Sequence, residues 1–201
     1  LSMILRSILI KSPKTVFIHA SSSQVYSAKE SGEIVNENSE KKPSTFYGYT
    51  KLSGMSMIDF YRKEHKLNAS SAIFFNHEST FRSCEFVSRK ISKTVAEIKL
   101  GKKEFLTLRN IGAKADISSA YDLVRGLILM AQKCNNTDYI FSSFKSTSVL
   151  DLVKFAFEYV DMEWKDFLKY DQDKQTNYVI GNNQFSKNSL GWAPAIDVKA
   201  L

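Results

Sequence analysis

A hydroxyl cluster, a phenol and an amine are spaced in this sequence as a proton-transfer site requires. Three serines, 21–23, follow an apolar run over 15–20, and Tyr47 and Lys51 follow in a Tyr-x-x-x-Lys pattern. Helical side chains four residues apart lie on one face, so an ammonium at Lys51 would favour the phenolate of Tyr47. Such a phenol can exchange a proton with a substrate hydroxyl while hydride moves to or from a nicotinamide.

The Tyr-x-x-x-Lys spacing alone is equally compatible with a tyrosine that packs on the core and a solvated lysine. The serines favour the chemical interpretation, because a hydroxyl at the end of the preceding strand can hydrogen-bond the same substrate oxygen. His19 lies inside the apolar run. We predict that it is a core histidine with satisfied hydrogen bonds rather than a proton shuttle.

The apolar pattern indicates alternating strands and helices. A strand over 15–20, a polar loop over 27–45, a helix from about 44 to 66 and a strand over 69–75 form a βαβ unit, whose strands are parallel. Further along, the pattern predicts three helices, over 87–98, 123–130 and 149–160. It also predicts two short strands, over 105–108 and 139–142. Ser148 and Asp151 are predicted to form a capping box.

The glycine fingerprint of dinucleotide-binding folds is missing. None of the eight glycines forms Gly-x-Gly-x-x-Gly, so we expect this polypeptide by itself to lack the cradle for a dinucleotide pyrophosphate. A buried parallel strand over 15–20 also needs neighbours, and only 69–75 is an obvious partner. We therefore expect the upstream half of the sheet to be absent or to come from another chain.

Composition excludes several classes of protein. With 201 residues, 43% hydrophobic and 24% charged, the chain is typical of a globular protein that can bury a core. The net charge of +7 comes from scattered lysines, so we predict no nucleic-acid partner. No apolar stretch is long enough for a membrane span, and no signal peptide precedes the first helix. Cys84 and Cys134 form no metal or disulfide pattern, which indicates a cytoplasmic protein without a metal.

Several longer strings resemble the GDP-mannose 4,6-dehydratase family, a branch of the NAD(P)-dependent epimerase/dehydratases, or extended short-chain dehydrogenases. The most specific is Asn-His-Glu-Ser at 76–79. The others are 20–26, 47–51, 86–91, 96–101 and 190–194. Their order and spacing run through essentially the whole chain, without the family's N-terminal Rossmann half.

The resemblance implies a fold and a division of the chain. The fold class is α/β, with a partial Rossmann-type parallel sheet, flanking helices and a smaller mixed α/β substrate-binding part. Residues 1–78 would be the C-terminal half of a Rossmann-type domain. Residues 79–201 would be the substrate-binding part, with interleaved segments that return to the sheet.

The resemblance also implies a reaction. Such enzymes bind NADP and a GDP-sugar, oxidise C4, eliminate water across C5–C6 and return hydride to C6. The family's catalytic threonine falls on Ser22, its proton-transfer tyrosine on Tyr47 and its lysine on Lys51. The resemblance implies that NADP contacts Tyr47, Lys51, His77 and Arg82. It implies that the nucleotide sugar contacts Asn76, Val87 and Lys90.

The departures from the family pattern bear on activity. Gln24 stands where the family has the glutamate that removes the C5 proton, and a carboxamide is a poor base. Ala115, Phe81 and Gln172 stand where the family has arginines. A charged contact to phosphate contributes about 1.5–3 kcal/mol, so losing two would weaken GDP-sugar binding by roughly 10²–10⁴-fold.

We therefore interpret the chain as a nucleotide-sugar dehydratase-like protein that is inactive or altered as it stands. Two alternatives stay open. One is a nucleotide-sugar reductase or epimerase that uses Ser22, Tyr47 and Lys51, and the other is a non-catalytic binding or assembly subunit. We predict a homo-oligomer, with residues 76–90 as the main contact. The sugar, the nucleotide base and the cause of the missing half are not determined by the sequence.

Overall fold

A three-stranded parallel sheet and the helix between its first two strands carry the predicted proton-transfer residues. The computed structural model describes all residues, 1–201. Its helices are α1 Ser2–Lys11, α2 Phe46–His65, α3 Val87–Lys99, α4 Ala120–Lys133, α5 Val149–Tyr159 and α6 Gln184–Leu190. Its strands are β1 Phe17–Ser22, β2 Ser31–Val35, β3 Ala69–Phe74, β4 Asn76–Glu78, β5 Leu106–Asn110, β6 Lys114–Ser119, β7 Tyr139–Phe141, β8 Ser146–Ser148, β9 Leu168–Gln172 and β10 Tyr178–Gly181.

The predicted βαβ unit is confirmed. Strand β1 pairs in parallel with β3, from Phe17 opposite Ala69 to Ser22 opposite Phe74, and α2 connects them. Strand β7 adds to the other edge of β3 in the same direction. The chain therefore returns to this sheet after residue 79, and the predicted α/β class with parallel strands and flanking helices is confirmed. The division into 1–78 and 79–201 stays a prediction.

Helices cover the sheet on both faces. Helix α2 packs through Met55 on a cluster with Ile73, and through Ile58 on a cluster with Ala69. On the other face, α4 contributes to a cluster that contains Phe141 and Trp192. The indole of Trp192 is fully buried, and its N–H donates to the carbonyl of Asp122 over 2.8 Å. Trp192 therefore anchors the packing of α4 on this face of the sheet.

A second layer lies beside the sheet. Helices α3 and α5 pack on the parallel pair β5–β9, and their core contains Ile91, Val95 and Phe157. The capping box that starts α5 is present as predicted. The Ser148 hydroxyl accepts from the Asp151 N–H over 3.0 Å, and the Asp151 carboxylate accepts from the Ser148 N–H over 2.9 Å.

The polar segment over 27–45 is more ordered than its sequence indicates. It contains β2, which pairs in parallel with β10 near the other end of the chain. Residues 76–78, 114–119, 146–148 and 168–172 likewise form strands that the apolar pattern does not show. Each is held by a partner distant in sequence, and such pairing overrides local propensity. None of the six helices combines the length and the apolar composition that a membrane crossing needs.

Candidate functional site

The ends of β1 and α2 bring together the predicted proton-transfer residues. Lys51 lies on the first turns of α2, and its ammonium donates to the carbonyl of Ala20, near the end of β1, over 2.8 Å. The same ammonium lies 5.4 Å from the centre of the Tyr47 ring. The Tyr47 side chain is 52% exposed and makes no hydrogen bond within the chain. The phenol is thus free to meet a ligand beside a fixed cation.

The segment after β1 is pressed against the start of α2. A Cβ atom added to Gly48 would lie 2.2 Å from the Gln24 carbonyl oxygen and 2.8 Å from Pro43. The lack of a side chain at Gly48 therefore allows this close approach. The Thr45 hydroxyl caps the helix by accepting from the Gly48 N–H over 3.0 Å, and it lies 3.5 Å from the Gln24 side-chain oxygen. Ser22 and Gln24 are in this way held to the helix that carries Tyr47.

A cleft of about 420 Å³ opens beside this junction. It is bounded by residues that follow β1 and β3, by the start of β6 and by β10. Its polar lining consists of amides, hydroxyls and two charged groups: Gln24, Asn76, Asn177, Ser23, Ser27, Ser44, Tyr26, Tyr178, Lys114 and Asp116. Ser22 and Tyr47 do not line it themselves, but Ser23 and Ser44 place both at its border.

Asp116 is the only carboxylate among the residues that line the cleft. It is 1% exposed. Its oxygens accept from the Ser143 N–H and hydroxyl over 2.7 and 2.6 Å, and from the N–H groups of Phe144 and Gly181 over 3.1 and 3.2 Å. Burial raises the pKa of Asp116, and these hydrogen bonds oppose that rise. With four donors on it, the carboxylate has a structural role and is not placed to take a proton from a substrate.

Asn76 and His77 follow β3 directly. The Asn76 side chain is exposed in the cleft. His77 Nδ1 lies 2.9 Å from the Phe75 carbonyl oxygen. A carbonyl can only accept, so Nδ1 carries the proton and Nε2 of the neutral ring is an acceptor. Strand β4 is fixed by pairing with β6, with His77 opposite Ser118.

The other predicted site residues lie elsewhere. The Arg82 guanidinium is 3.3 Å from the Glu78 carboxylate and 3.5 Å from the centre of the Phe86 ring. It borders a separate cavity of about 510 Å³ between α3 and α5. Lys90 donates to the Thr107 carbonyl over 2.8 Å. Neither Lys90 nor Val87 lines the cleft, whereas Gln24 and Asn76 do. Ser22 and His77 adjoin the lining residues Ser23 and Asn76, and Tyr47 and Lys51 lie at the start of α2 beside them.

The prediction that His19 has satisfied hydrogen bonds is wrong. Its Nε2 atom is buried and has no hydrogen-bond partner. The ring lies between β1 and the backbone of α2 at Gly54, where the main chain is already paired within the helix. The sequence shows an apolar run around His19, but it does not show which groups face the ring.

Sequence reasoning missed the contribution of the late segment 177–179 to the cleft. Asn177 donates to the Lys29 carbonyl over 3.1 Å, and Tyr178 reaches Gly32. No local pattern could have indicated this, because β10 reaches the cleft only by pairing with β2.

The residues present fit one end of a nicotinamide dinucleotide. The exposed phenol of Tyr47 and the ammonium of Lys51 lie at the start of α2, against the end of β1, and His77 with its free Nε2 follows the end of β3. Parallel sheets bind ligands at the carboxyl ends of their strands. These three side chains suit the nicotinamide and its ribose. The glycines in left-handed conformation, Gly32, Gly101 and Gly191, lie at no strand-to-helix turn of this sheet, so the described residues do not fit the pyrophosphate end.

Comparison with known proteins gives consistent matches. A family model described as GDP-mannose 4,6 dehydratase matches residues 2–201. The GDP-mannose 4,6-dehydratase of Sinorhizobium fredii (strain HH103) is 38% identical over 154 residues, which are 75% of this chain and 43% of that protein. GDP-mannose 4,6 dehydratase 2 of Arabidopsis thaliana is 30% identical over 201 residues, 98% of this chain and 53% of that one. The chain spans about half the length of the curated relatives that it matches.

Solved structures share the fold. RMD from Pseudomonas aeruginosa complexed with NADPH matches with a TM-score of 0.87 at 19% identity, over 98% of this chain and 67% of that one. The dTDP-glucose 4,6-dehydratase of Bacillus anthracis str. Ames in complex with NAD matches with a TM-score of 0.86 at 17% identity, over 99% of this chain and 62% of that one. At such identities the likeness describes the fold alone.

Proposed function

Because this chain belongs to the GDP-mannose 4,6-dehydratase family, we propose that it carries the sugar-binding cleft and the proton-transfer residues of an NADP-linked nucleotide-sugar enzyme. We further propose that it supports proton transfer at a sugar hydroxyl but eliminates water poorly. The observation that carries the second part is the cleft itself, whose only carboxylate is the fully engaged Asp116.

Tyr47, Lys51 and His77 are the residues that would hold the nicotinamide end of NADP. The bound nicotinamide would accept and return hydride. The chain's own part is to move the proton. Tyr47 would act as the phenolate, which the Lys51 ammonium would stabilise from its fixed position on Ala20. It would take the proton of the sugar C4 hydroxyl and become the neutral phenol, and the Ser22 hydroxyl would orient the same sugar oxygen.

The lining of the cleft supports a sugar ligand. Amides and hydroxyls such as those of Gln24, Asn76 and Ser44 match the hydroxyls of a hexose, and Lys114 is the only cation among the lining residues. A GDP-sugar is the ligand that family membership favours. With alanine at 115, the diphosphate would rely on fewer cationic contacts, and we expect weaker binding than in relatives with arginine there.

A nucleotide-sugar reductase or epimerase is the second candidate. It is favoured by Gln24, which is exposed in the cleft but cannot accept a C5 proton at neutral pH. Proton transfer by Tyr47 needs no such base. A non-catalytic binding subunit is the outcome if neither reaction is found.

Replacing Gln24 by glutamate tests the proposal. The protein is assayed together with the upstream half of the sheet, as in a full-length parent, with NADP and GDP-mannose, and loss of one water from the sugar is followed by mass spectrometry. We expect at least a tenfold gain in Gln24→Glu, because a general base contributes about 10²–10⁴-fold. Gln132→Glu, an exposed change on α4, is the control and should change nothing. Equal elimination by the wild-type protein and Gln24→Glu contradicts the assignment. Sugar binding without turnover in either favours the binding subunit.

We also propose self-association and a cytoplasmic location. Phe81 is 95% exposed and Phe86 46% exposed within 76–90, and Met3 on α1 and Phe46 on α2 are 84% and 86% exposed. Phe81 and Phe86 lie five residues apart within 76–90, and we propose that a second copy of the chain covers this segment. Cys84 and Cys134 are free and exposed, which suits a reducing compartment.

A further inference from the structure

His19 lies where α2 comes closest to the sheet. A Cβ atom placed on Gly54 would be 2.4 Å from His19 Nε2 and 2.7 Å from its Cε1 atom. Contacts under 3 Å require one side to move, so the imidazole sets how deeply the helix rests on β1 at this point. On the neighbouring strand, Ser71 is opposite His19, and its buried hydroxyl has no hydrogen-bond partner either.

The contact is one turn from the proton-transfer pair. Lys51 precedes Gly54 by three residues on α2, and its ammonium is held by Ala20, the residue after His19. Two consecutive residues of β1 thus support the same turn of the helix. His19 sets the distance of the turn from the strand through the Gly54 contact, and Ala20 fixes the ammonium. Tyr47 lies one further turn towards the start of that helix.

The surroundings of His19 suit a neutral ring. Nε2 has no partner within normal hydrogen-bond geometry, and the Lys51 backbone, the one acceptor that acts on the ring, does not offset the cost of burying a charged ring against α2. The charged groups that act on the ring are Lys51 from α2, Asp138 ahead of β7 and the amino group of Leu1 ahead of α1. Burial lowers the pKa of His19 and outweighs the hydrogen bond to the Lys51 backbone, which raises it. The charge of Lys51 acts in the same direction as burial, and that of Asp138 in the opposite one.

We propose that His19 is a positioning residue for Tyr47 and Lys51, which it keeps in place as a neutral imidazole through its contact with Gly54. This role rests on the function proposed above for the pair. When the ring gains a proton, the helix turn at 51–54 must move away from the buried charge, and Tyr47 moves with it.

The position of the helix turn at 51–54 is expected to depend on pH. Because the folded-state pKa of His19 is lowered, the ring is neutral in both folded and unfolded chains above about pH 6.5. As the pH falls from there through the folded-state pKa, the unfolded chain binds the proton more readily, and the folded site is destabilised.

Tyrosine labelled with ¹³C at Cζ gives a readout that needs no turnover, so failure of the proposed function leaves it intact. We expect the Tyr47 signal to show a step between pH 7 and pH 4.5 that is absent in His19→Gln, a neutral variant of similar size. His65→Gln and His77→Gln should keep the step, and the remote, exposed Tyr159 should show no His19-dependent step. A Tyr47 signal without a step, or a step that survives in His19→Gln, overturns the proposal.

A pair of alanine substitutions tests the contact itself. Gly54→Ala should lower the melting temperature of the wild-type protein, because the new Cβ meets the imidazole. In His19→Ala the same substitution should raise it, because the space is free and alanine is the better helix former. Equal shifts in both backgrounds would show that His19 does not set the position of α2.

Discussion

The ammonium of Lys51 lies 2.8 Å from the carbonyl oxygen of Ala20, two residues ahead of Ser22. This hydrogen bond ties the start of α2 to the end of β1. It aligns the helix that carries the phenol with the strand that carries the hydroxyl, although the two are separated by a long polar segment. The relative positions of the hydroxyl, the phenol and the ammonium therefore depend on this one contact between β1 and α2.

Tyr47→Phe should abolish proton transfer without loss of stability. The phenol is 52% exposed and donates no hydrogen bond within the chain, so its removal leaves the fold unchanged. NADP-linked turnover of a nucleotide sugar should fall by about 10²–10⁴-fold. Tyr49→Phe is the matched control, since Tyr49 is on the same helix and is 60% exposed. A similar loss in both variants would remove Tyr47 from its assigned role.

Gly48→Ala should damage both stability and the site. The added methyl group meets the Gln24 backbone at 2.2 Å, and a backbone carbonyl cannot move aside cheaply. We expect a loss of about 1–3 kcal/mol in unfolding free energy, measured by urea denaturation. Ser53→Ala, on an exposed position of α2, should be neutral or slightly stabilising. If Gly48→Ala behaves like Ser53→Ala, the close packing of 23–25 on α2 is not present in solution.

Ser148→Ala should remove the cap of α5 in a pH-dependent manner. Burial opposes ionisation of Asp151, but hydrogen bonds from Ser148 outweigh it and lower the pKa of Asp151. Because the pKa of Asp151 is lower in the folded chain, its ionised carboxylate stabilises the fold above about pH 4. This stabilisation disappears as the pH falls through the folded-state pKa.

At pH 7 we expect Ser148→Ala to lower the free energy of unfolding by about 1 kcal/mol. The difference in unfolding free energy between the variant and the wild-type protein should become smaller below about pH 4. Urea denaturation at pH 7 and pH 3 measures both. Ser146→Ala, exposed and without a side-chain hydrogen bond, is the control. If the difference in unfolding free energy is the same at both pH values, the stabilisation by the cap does not depend on the ionisation of Asp151.

Trp192→Phe should lower stability more than Trp164→Phe. Trp192 is fully buried, its ring meets Phe141 edge-on at 4.9 Å, and its N–H satisfies the Asp122 carbonyl. Phenylalanine removes this hydrogen bond and leaves space where the indole was, at a cost of about 2 kcal/mol. Trp164 is only partly buried and makes no such bond, so its variant should lose less than about 1 kcal/mol. Equal losses in thermal or urea unfolding would contradict the anchoring role.

The amino-acid sequence was enough to predict the βαβ unit, the capping box of α5 and the family. These features depend on residues close together in the chain: the apolar run before the serines, Tyr47 and Lys51 one helical turn apart, Ser148 and Asp151 at capping distance, and the string at 76–79. Local hydrogen bonds and side-chain periodicity are sufficient for such features.

What surrounds those residues follows from the tertiary structure. Contacts between residues far apart in sequence bring β10 to the cleft, engage Asp116 with four donors and place His19 against Gly54. A residue's type limits the chemistry it can perform. Whether it is free to perform that chemistry depends on which distant donors, charges and backbone atoms the fold brings against it.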